Sequence, residues 1–423
     1  MINFVIDTRL SVPIIGKTNH PFHPDMKKIF FYIRALTLVW GQSLLSVVGG
    51  MASLSSLLFG AAALLAPGGT AEAGDALAAN LFRRVVAEQK EGNVVFSPAS
   101  AEAVLLMLRE GAAGQTKAEL AALPYGKQGV PSAMRVESAN ALFVDDSLKL
   151  KRVSVPVHRV PFTIAPDEAA NSVNAWCCDK THGKIPSVFD AVPPLTRLMA
   201  VNAVYLKERW LRPFEPDDTK EEDFHLRDGR TVKVPMMFKE TDLLYAEGED
   251  WQAVALFYRT DGRKGEPGCF IGILPRGDAR EFAATLTPQK FNAIRTALAK
   301  SGYNETQVRL PRFKVNTDAF SLVPALQAVG VRQAFDERKA DFSALVETAP
   351  GENLYLRSVV QKCYVDVSEQ GTEAAAVTAA SPCCEYISLP RIIRFDRPVL
   401  WVIGDITTDA PPYFMGLVEE VRS

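Results

Sequence analysis

The sequence predicts an exported α+β protein with mostly antiparallel sheets, and three observations carry that expectation: helical periodicity early in the chain, short strand-like runs later, and an uncharged stretch ahead of both. From Ala76 to Glu88 and from Ser97 to Glu110 apolar residues recur at helical spacing. Ser97-Pro98 gives the second helix a cap and a proline in its first turn. Gly111 to Gly114 breaks it, and Gln115 to Ala122 starts another short helix. Leu198 to Leu206, Ala253 to Phe257, Cys269 to Leu274, Val308 to Phe313 and Val399 to Ile403 are short, mostly β-branched or aromatic, and bounded by turn residues, hence strands. Helices in the first third and strands in the last two thirds point away from alternating βαβ units. No repeat, low-complexity linker or domain break follows Gly74.

Ahead of these elements, Lys27, Lys28 and Arg34 precede a stretch from Ala35 to Ala71 without a charged residue. Ala71-Glu72-Ala73 has the small-x-small form that a signal peptidase accepts, so residues 1–73 read as an N-terminal extension with a signal peptide and 74–423 as the mature domain. An uncleaved membrane anchor is the alternative, since about 20 apolar residues span a bilayer. Residues 1–25 read as neither signal nor domain, which makes Met26 or Met51 an alternative start.

A chain of 423 residues with 48% apolar composition can bury a large core. A net charge of −2 without a clustered basic stretch argues against a nucleic-acid partner. The six cysteines, Cys177, Cys178, Cys269, Cys363, Cys383 and Cys384, fall as two adjacent pairs and two singletons, which is neither a disulfide framework nor a zinc spacing. Enzyme motifs are absent: no GxSxG, HExxH, Walker loop or strand-borne GxGxxG. His158, His182 and His225 are far apart and read as surface or cap residues. Asp217-Asp218 and Glu221-Glu222 sit in a charged, turn-rich run and read as a solvated loop. No catalytic residue, metal or cofactor is expected.

The stretch from Cys363 to Pro390 departs from local rules. It begins as a strand, Cys363 to Val367, and continues through Glu369-Gln370-Gly371-Thr372-Glu373-Ala374-Ala375-Ala376-Val377-Thr378-Ala379-Ala380. Propensity favours a helix for the alanine run. Yet Thr372, Ala374, Ala376, Thr378 and Ala380 share one face at period two and are all small, as a strand sliding into a crowded sheet requires. A breaker-rich tip, Ser381-Pro382-Cys383-Cys384-Glu385-Tyr386, and then Ile387-Ser388-Leu389-Pro390 follow. A structureless loop of about 20 residues in a compact domain usually signals function.

Glu369 to Thr378 resembles the hinge of inhibitory serpins, a family of protease inhibitors. Asn93-Val94-Val95-Phe96-Ser97-Pro98-Ala99-Ser100, Gly111-Ala112-Ala113-Gly114-Gln115-Thr116 and Asn140-Ala141-Leu142-Phe143-Val144 resemble its early elements. Val201-Asn202-Ala203-Val204-Tyr205-Leu206-Lys207 with Trp210, Pro213-Phe214, and Val232-Lys233-Val234-Pro235-Met236-Met237 resemble its central sheet and following strands. Leu310-Pro311-Arg312-Phe313-Lys314, Asp341-Phe342-Ser343, Phe395-Asp396-Arg397-Pro398 and Phe414-Met415-Gly416 complete the order over 76–420.

The resemblance implies three β-sheets with about eight or nine helices and an exposed reactive-centre loop that acts as bait for a serine, or a cysteine, protease. It implies a hinge of Glu369, Gly371, Thr372, Glu373, Ala374, Ala375, Ala376 and Thr378, and shutter and breach positions at Ser97, Ser100, Asn202, Trp210 and Gln361. Gln361 stands where the family usually has a histidine bonded near Ser97 and Ser100, and Pro382 lacks an N–H for the inserting strand. The stretch between Leu150 and Phe162 is short, which implies a trimmed early helix or return loop. Counting from the hinge puts the bait bond at Glu385-Tyr386, and counting back from Phe395 puts it at Ile387-Ser388. The expected product is a monomer without cofactors, secreted to the extracellular space, or periplasmic in a Gram-negative source. A non-inhibitory serpin serving as a binding or carrier protein is the alternative, against which the small hinge residues argue.

Overall fold

The computed structural model describes residues 73–127, 129, 132–348, 352–372, 389–407 and 410–421. Three sheets carry the strands, numbered here in chain order. A nine-strand sheet runs β1 (Val94–Phe96), β19 (Phe414–Val418), β18 (Val399–Asp405), β10 (Gly268–Pro275), β9 (Trp251–Phe257), β8 (Thr231–Glu247), β11 (Tyr303–Pro311) and β17 (Arg391–Arg394), with β7 (Lys220–His225) beside β8. An eight-strand sheet runs β4 (Val157–Val160), β2 (Val136–Asp145), β5 (Leu198–Leu206), β15 (Ser358–Ser368), β16 (Gly371–Thr372) and β6 (Glu208–Arg209). The free edge of β15 takes β12 (Phe313–Asn316) and β13 (Phe320–Ser321). A ribbon pairs β3 (Lys149–Leu150) with β14 (Val346–Glu347).

Seven α-helices are present among the described residues: α1 (Ala73–Glu88), α2 (Pro98–Gly111), α3 (Gly114–Ala121), α4 (Pro166–Lys180), α5 (Ala279–Ala284), α6 (Pro288–Lys300) and α7 (Val323–Ala328). That count is slightly below the expected eight or nine. Part of the difference lies between Leu150 and Phe162, where Val153, Val155, Pro156, Val157 and Pro161 disfavour a helix and the chain forms β4 instead. Helices α5 and α6 fall in the part of the chain read as strands. Their starts are nonetheless marked, for the Asp278 side chain accepts from the Glu281 N–H and the Thr287 side chain from the Lys290 N–H, with Pro288 in the first turn. Glu221 and Glu222 lie on β7, and not in a loop: Glu222 is half-buried between Arg309 and Arg394.

The core has three main parts. Leu81, Phe82 and Val85 of α1 pack with Phe291, Ile294 and Leu298 of α6 behind the sheets. Trp210, Phe270, Phe313, Val365 and Trp401 fill a second cluster between the two large sheets, where the Phe270 and Trp401 rings stack 6.1 Å apart. Phe143, Met199 and Val201 meet Val173 and Cys177 under α4. Because β5 is buried along its whole length, it reads as an unbroken apolar run interrupted only by Asn202.

Two buried ion pairs lock the helical side to the strands. Arg280 holds both Glu419 oxygens, at 2.8 and 2.7 Å, and also donates to the Gly92 carbonyl at 2.6 Å. Arg295 pairs with Asp75 and donates to the Asp405 carbonyl at 2.7 Å. Removing one partner strands a charge in the interior. Glu419→Ala is expected to cost about 3–5 kcal/mol, visible as a large fall in the thermal unfolding midpoint, whereas alanine at the exposed partner Glu347 is expected to leave it within about 0.5 kcal/mol of wild type.

Candidate functional site

The distinctive feature of the eight-strand sheet is a parallel seam. Residues 358–364 of β15 run parallel to 199–205 of β5, from Ser358 opposite Met199 to Tyr364 opposite Tyr205. At its upper end the chain reverses after Ser368, and Gly371 and Thr372 wedge between the two sides. Thr372 pairs with Val367 of β15 and with Glu208 of β6, antiparallel to both.

The reversal is fastened from one short stretch. The Trp210 indole N–H donates to the Ser368 carbonyl at 2.9 Å, the Trp210 amide to the Gln370 carbonyl at 3.1 Å, and the Phe214 amide to the Glu369 carbonyl at 2.8 Å. The Glu369 carboxylate accepts from Thr219 Oγ1 at 3.0 Å and faces Arg312 at 3.4 Å. Gly371 has a φ of +149°, and a Cβ there would lie 2.1 Å from the Glu208 carbonyl oxygen. Only glycine fits this close approach. Thr372 is fully buried, with its hydroxyl 2.8 Å from that of Tyr258. The Tyr258 ring stacks on Trp210 at 4.7 Å, and burial pushes its hydroxyl well above the ordinary tyrosine range, so it stays a neutral hydrogen-bonding group.

Lower in the sheet, a polar row crosses three strands. Asn140 of β2 faces Asn202 of β5, which faces Gln361 of β15. The N-terminus of α2 is planted on this row. Gln361 Oε1 accepts from the Ser97 N–H at 2.8 Å, and Gln361 Nε2 donates to the Ser97 carbonyl at 3.1 Å. Ser97 also caps α2 by accepting from the Ser100 N–H. The Ser100 hydroxyl donates to Asn140 Oδ1 at 2.9 Å and lies 2.7 Å from Ser138 Oγ, and Asn202 Nδ2 reaches both Ser100 and Asn140. Separating β5 from β15 therefore also disturbs the seat of α2.

Two groups of the residues singled out in the sequence are thus brought together: Ser97, Ser100, Asn202 and Gln361 in the row, and Trp210, Glu369, Gly371 and Thr372 at the reversal. Glu373, Ala374, Ala375, Ala376, Thr378, Pro382 and Cys383-Cys384 lie outside the described residues, as do both candidate bonds, Glu385-Tyr386 and Ile387-Ser388. Sequence reading missed Ser138, Tyr258 and Glu208, and gave Asn140 no role. Asn140 carried a legible signal, an amide in a strand that is otherwise apolar from Ala139 to Val144, but nothing near Tyr258 in sequence marks it. His158 stacks on Phe143, and among the described residues no group of acidic, histidine or cysteine side chains is placed to hold a metal ion. The thiols of Cys177, Cys269 and Cys363 are free, buried and pushed upward by loss of water, the first two to about 12, which leaves them unreactive.

A family model described as Serpin (serine protease inhibitor) matches residues 72–421. The chain is 32% identical over 351 residues to a serpin-like protein of Thermococcus kodakarensis, covering 75% of this chain and 78% of that one. Serpin B8 of Homo sapiens is 32% identical over 339 residues, covering 73% and 88%. Native tengpin, a thermophilic serpin, shares the fold with a TM-score of 0.71 at 24% identity, over 83% of this chain and 94% of that one. Native protease nexin-1 with heparin superposes with a TM-score of 0.68 at 27% identity, over 82% and 98%.

The clasp at Gln361 yields a stability and pH test. Gln361→Ala orphans the buried Ser97 N–H, while the Ser97 carbonyl keeps the Ala101 N–H, so a loss of about 1–3 kcal/mol is expected. Gln361→Glu retains the clasp only while its carboxyl is protonated. Its folded pKa then lies above the unfolded value, so the clasp's contribution is fully present at low pH and lost as pH rises through the folded pKa. Thermal midpoints of the glutamate variant should therefore fall between about pH 4 and pH 7 relative to wild type, whose glutamine does not titrate.

Proposed function

The chain belongs to the serpin family, which includes protease inhibitors and non-inhibitory members but not catalysts, and we propose that this one is an inhibitory, exported member that traps its target as a one-use pseudo-substrate. The observation that carries the proposal is the wedge at Gly371-Thr372, which runs antiparallel to the strands on both sides at the mouth of a parallel seam. A chain that continues downward from Thr372 between β5 and β15 is antiparallel to each. Insertion thus replaces one parallel ladder with two antiparallel ones, which pair more favourably per residue.

In this reading a serine protease attacks the bait bond at Glu385-Tyr386, with Ile387-Ser388 as the second choice, and forms an acyl-enzyme. Thr372 leads the freed segment into the seam, followed by Ala374 and Ala376 on the same face, while Gly371 provides the pivot. About 14 residues at ~3.3 Å each carry the tethered protease about 46 Å. Catalytic geometry is distorted before water completes deacylation, so trapping is a race between insertion and hydrolysis. The driving energy is strand pairing withheld in the native form, which makes that form kinetically and not thermodynamically stable. Residues 1–73 serve as extension and signal peptide, and the mature protein acts as a secreted monomer. No helix among the described residues is long and apolar enough to cross a membrane.

The test is incubation with glutamate-selective and elastase-like serine proteases, followed by denaturing electrophoresis and mass measurement of the C-terminal fragment. A stable complex with a fragment beginning at Tyr386 or Ser388 is expected. Cleavage without complex, and without a gain in heat resistance, would favour a non-inhibitory carrier. Thr372→Arg places an unpaired charge where the side chain is fully buried, so this variant is expected to be cut as a substrate with complex yield reduced by about tenfold or more.

A further inference from the structure

Beside the hinge lies a cavity of about 330 Å³ that the inhibitory cycle does not use. Trp210, Leu243, Leu256 and Phe257 line it, and Leu211 and Tyr303 stand at its mouth, 57% and 66% exposed. Its size is at the lower end of small-molecule sites, about 300–1,000 Å³. Two cations share one wall. Lys239 Nζ donates to the Arg212 carbonyl and lies 4.3 Å from the centroid of the Phe214 ring, while the Arg212 guanidinium donates to the Thr241 hydroxyl. Among the described residues neither cation forms a salt bridge to a carboxylate, although Asp242 lines the same cavity and Glu215 is near enough to act on the Lys239 charge. Loss of water, and then the charge on Arg212, push the Lys239 ammonium down to about 7, against the opposing pull of Glu215.

We propose that this cavity binds an apolar molecule bearing a single carboxylate, with the acid group on Lys239 and Arg212 and the tail against Leu243, Leu256 and Phe257. The charge arrangement selects that class. A neutral ligand gives the two cations no direct ion pair, a cationic one is repelled, and a second negative charge on the tail would have to be buried against apolar walls. A bound anion favours the protonated amine, so the ligand raises the Lys239 pKa and draws in a proton above neutral pH. Affinity is then nearly level below pH 7 and falls by up to about tenfold per unit above it. The site is separate from the inhibitory reading, because Lys239, Arg212, Leu243, Leu256 and Phe257 have no part in cleavage or insertion there; only Trp210 borders both.

Decanoate is a suitable probe and decanamide its uncharged counterpart, each titrated calorimetrically into the full chain at about pH 6.5 and about pH 8.5. The proposal expects decanoate to bind about tenfold or more tightly than decanamide at the lower pH, and to take up most of one proton at the higher pH, read from buffers of different ionisation enthalpy. Lys239→Met should abolish the proton uptake and reduce the preference, leaving only what Arg212 supplies. The exposed Arg212→Gln change, which spares the fold, should weaken decanoate several-fold with decanamide unchanged. Equal binding of the two probes, no binding of either, or undiminished decanoate affinity in Arg212→Gln would overturn the proposal.

Discussion

The pairing of β5 with β15 is the constraint on which the rest of the structure depends. It is a parallel seam in the middle of a mixed sheet, and parallel pairs are slightly weaker per residue than antiparallel ones. Strands to either side, β2 on β5 and β12 and β13 on β15, are antiparallel. The weaker ladder therefore sits where the sheet is most deeply buried, and the surroundings hold it closed. Above it, Trp210 fastens the reversal at Ser368–Gln370. Below, Gln361 ties β15 to the start of α2. Each fastening contributes only about 1 kcal/mol per hydrogen bond, yet they act on the two sides of one seam and so resist the same motion.

A buried polar row is an unusual way to hold a sheet. Asn202 interrupts a strand otherwise filled with Leu, Met, Ala, Val and Tyr, and its Oδ1 has no partner among the described residues. An unsatisfied oxygen in the interior costs about 1–3 kcal/mol. An apolar residue would pack there without that penalty, but would not fix the register of β2, β5 and β15 beneath the serines of α2. The glutamine at position 361 fills this role with a two-point clasp on a single peptide unit. Its bonds are the same at any physiological pH, because neither the amide nor its backbone partners titrate.

Much of this arrangement was legible in the sequence because local rules and global fold agree. Leu198 to Leu206 reads as a buried strand and is one; Ser97-Pro98 reads as a helix start and caps α2. The period-two run of small residues after Gly371 stood out as strand-like against its helical propensity, and its first member, Thr372, lies in a strand at the mouth of the seam. What could not be read was contact across distance. Nothing in the chain between Phe257 and Asp261 indicates that Tyr258 meets Thr372, more than a hundred residues away, nor that the Glu208 carbonyl comes so close to Gly371 that no side chain fits there. The α5 and α6 helices were lost for a different reason. Their caps are present at Asp278 and Thr287, but both helices lie between apolar runs, Cys269 to Leu274 and Val308 to Phe313, that read as strands.

The pairing of β1 with β19 sets Val94–Phe96 against Phe414–Val418, so one of the first strands of the described chain waits for nearly the last residues to be made. A ribosome moving from the N-terminus has produced almost the whole polypeptide before that edge of the nine-strand sheet can close. Contacts so distant in sequence slow folding, since the loop between them must be closed before either strand gains anything from the pairing. The pairings among β7, β8, β9, β10 and β11 involve only residues 220–311 and can form earlier, so it is the β1 edge that closes last.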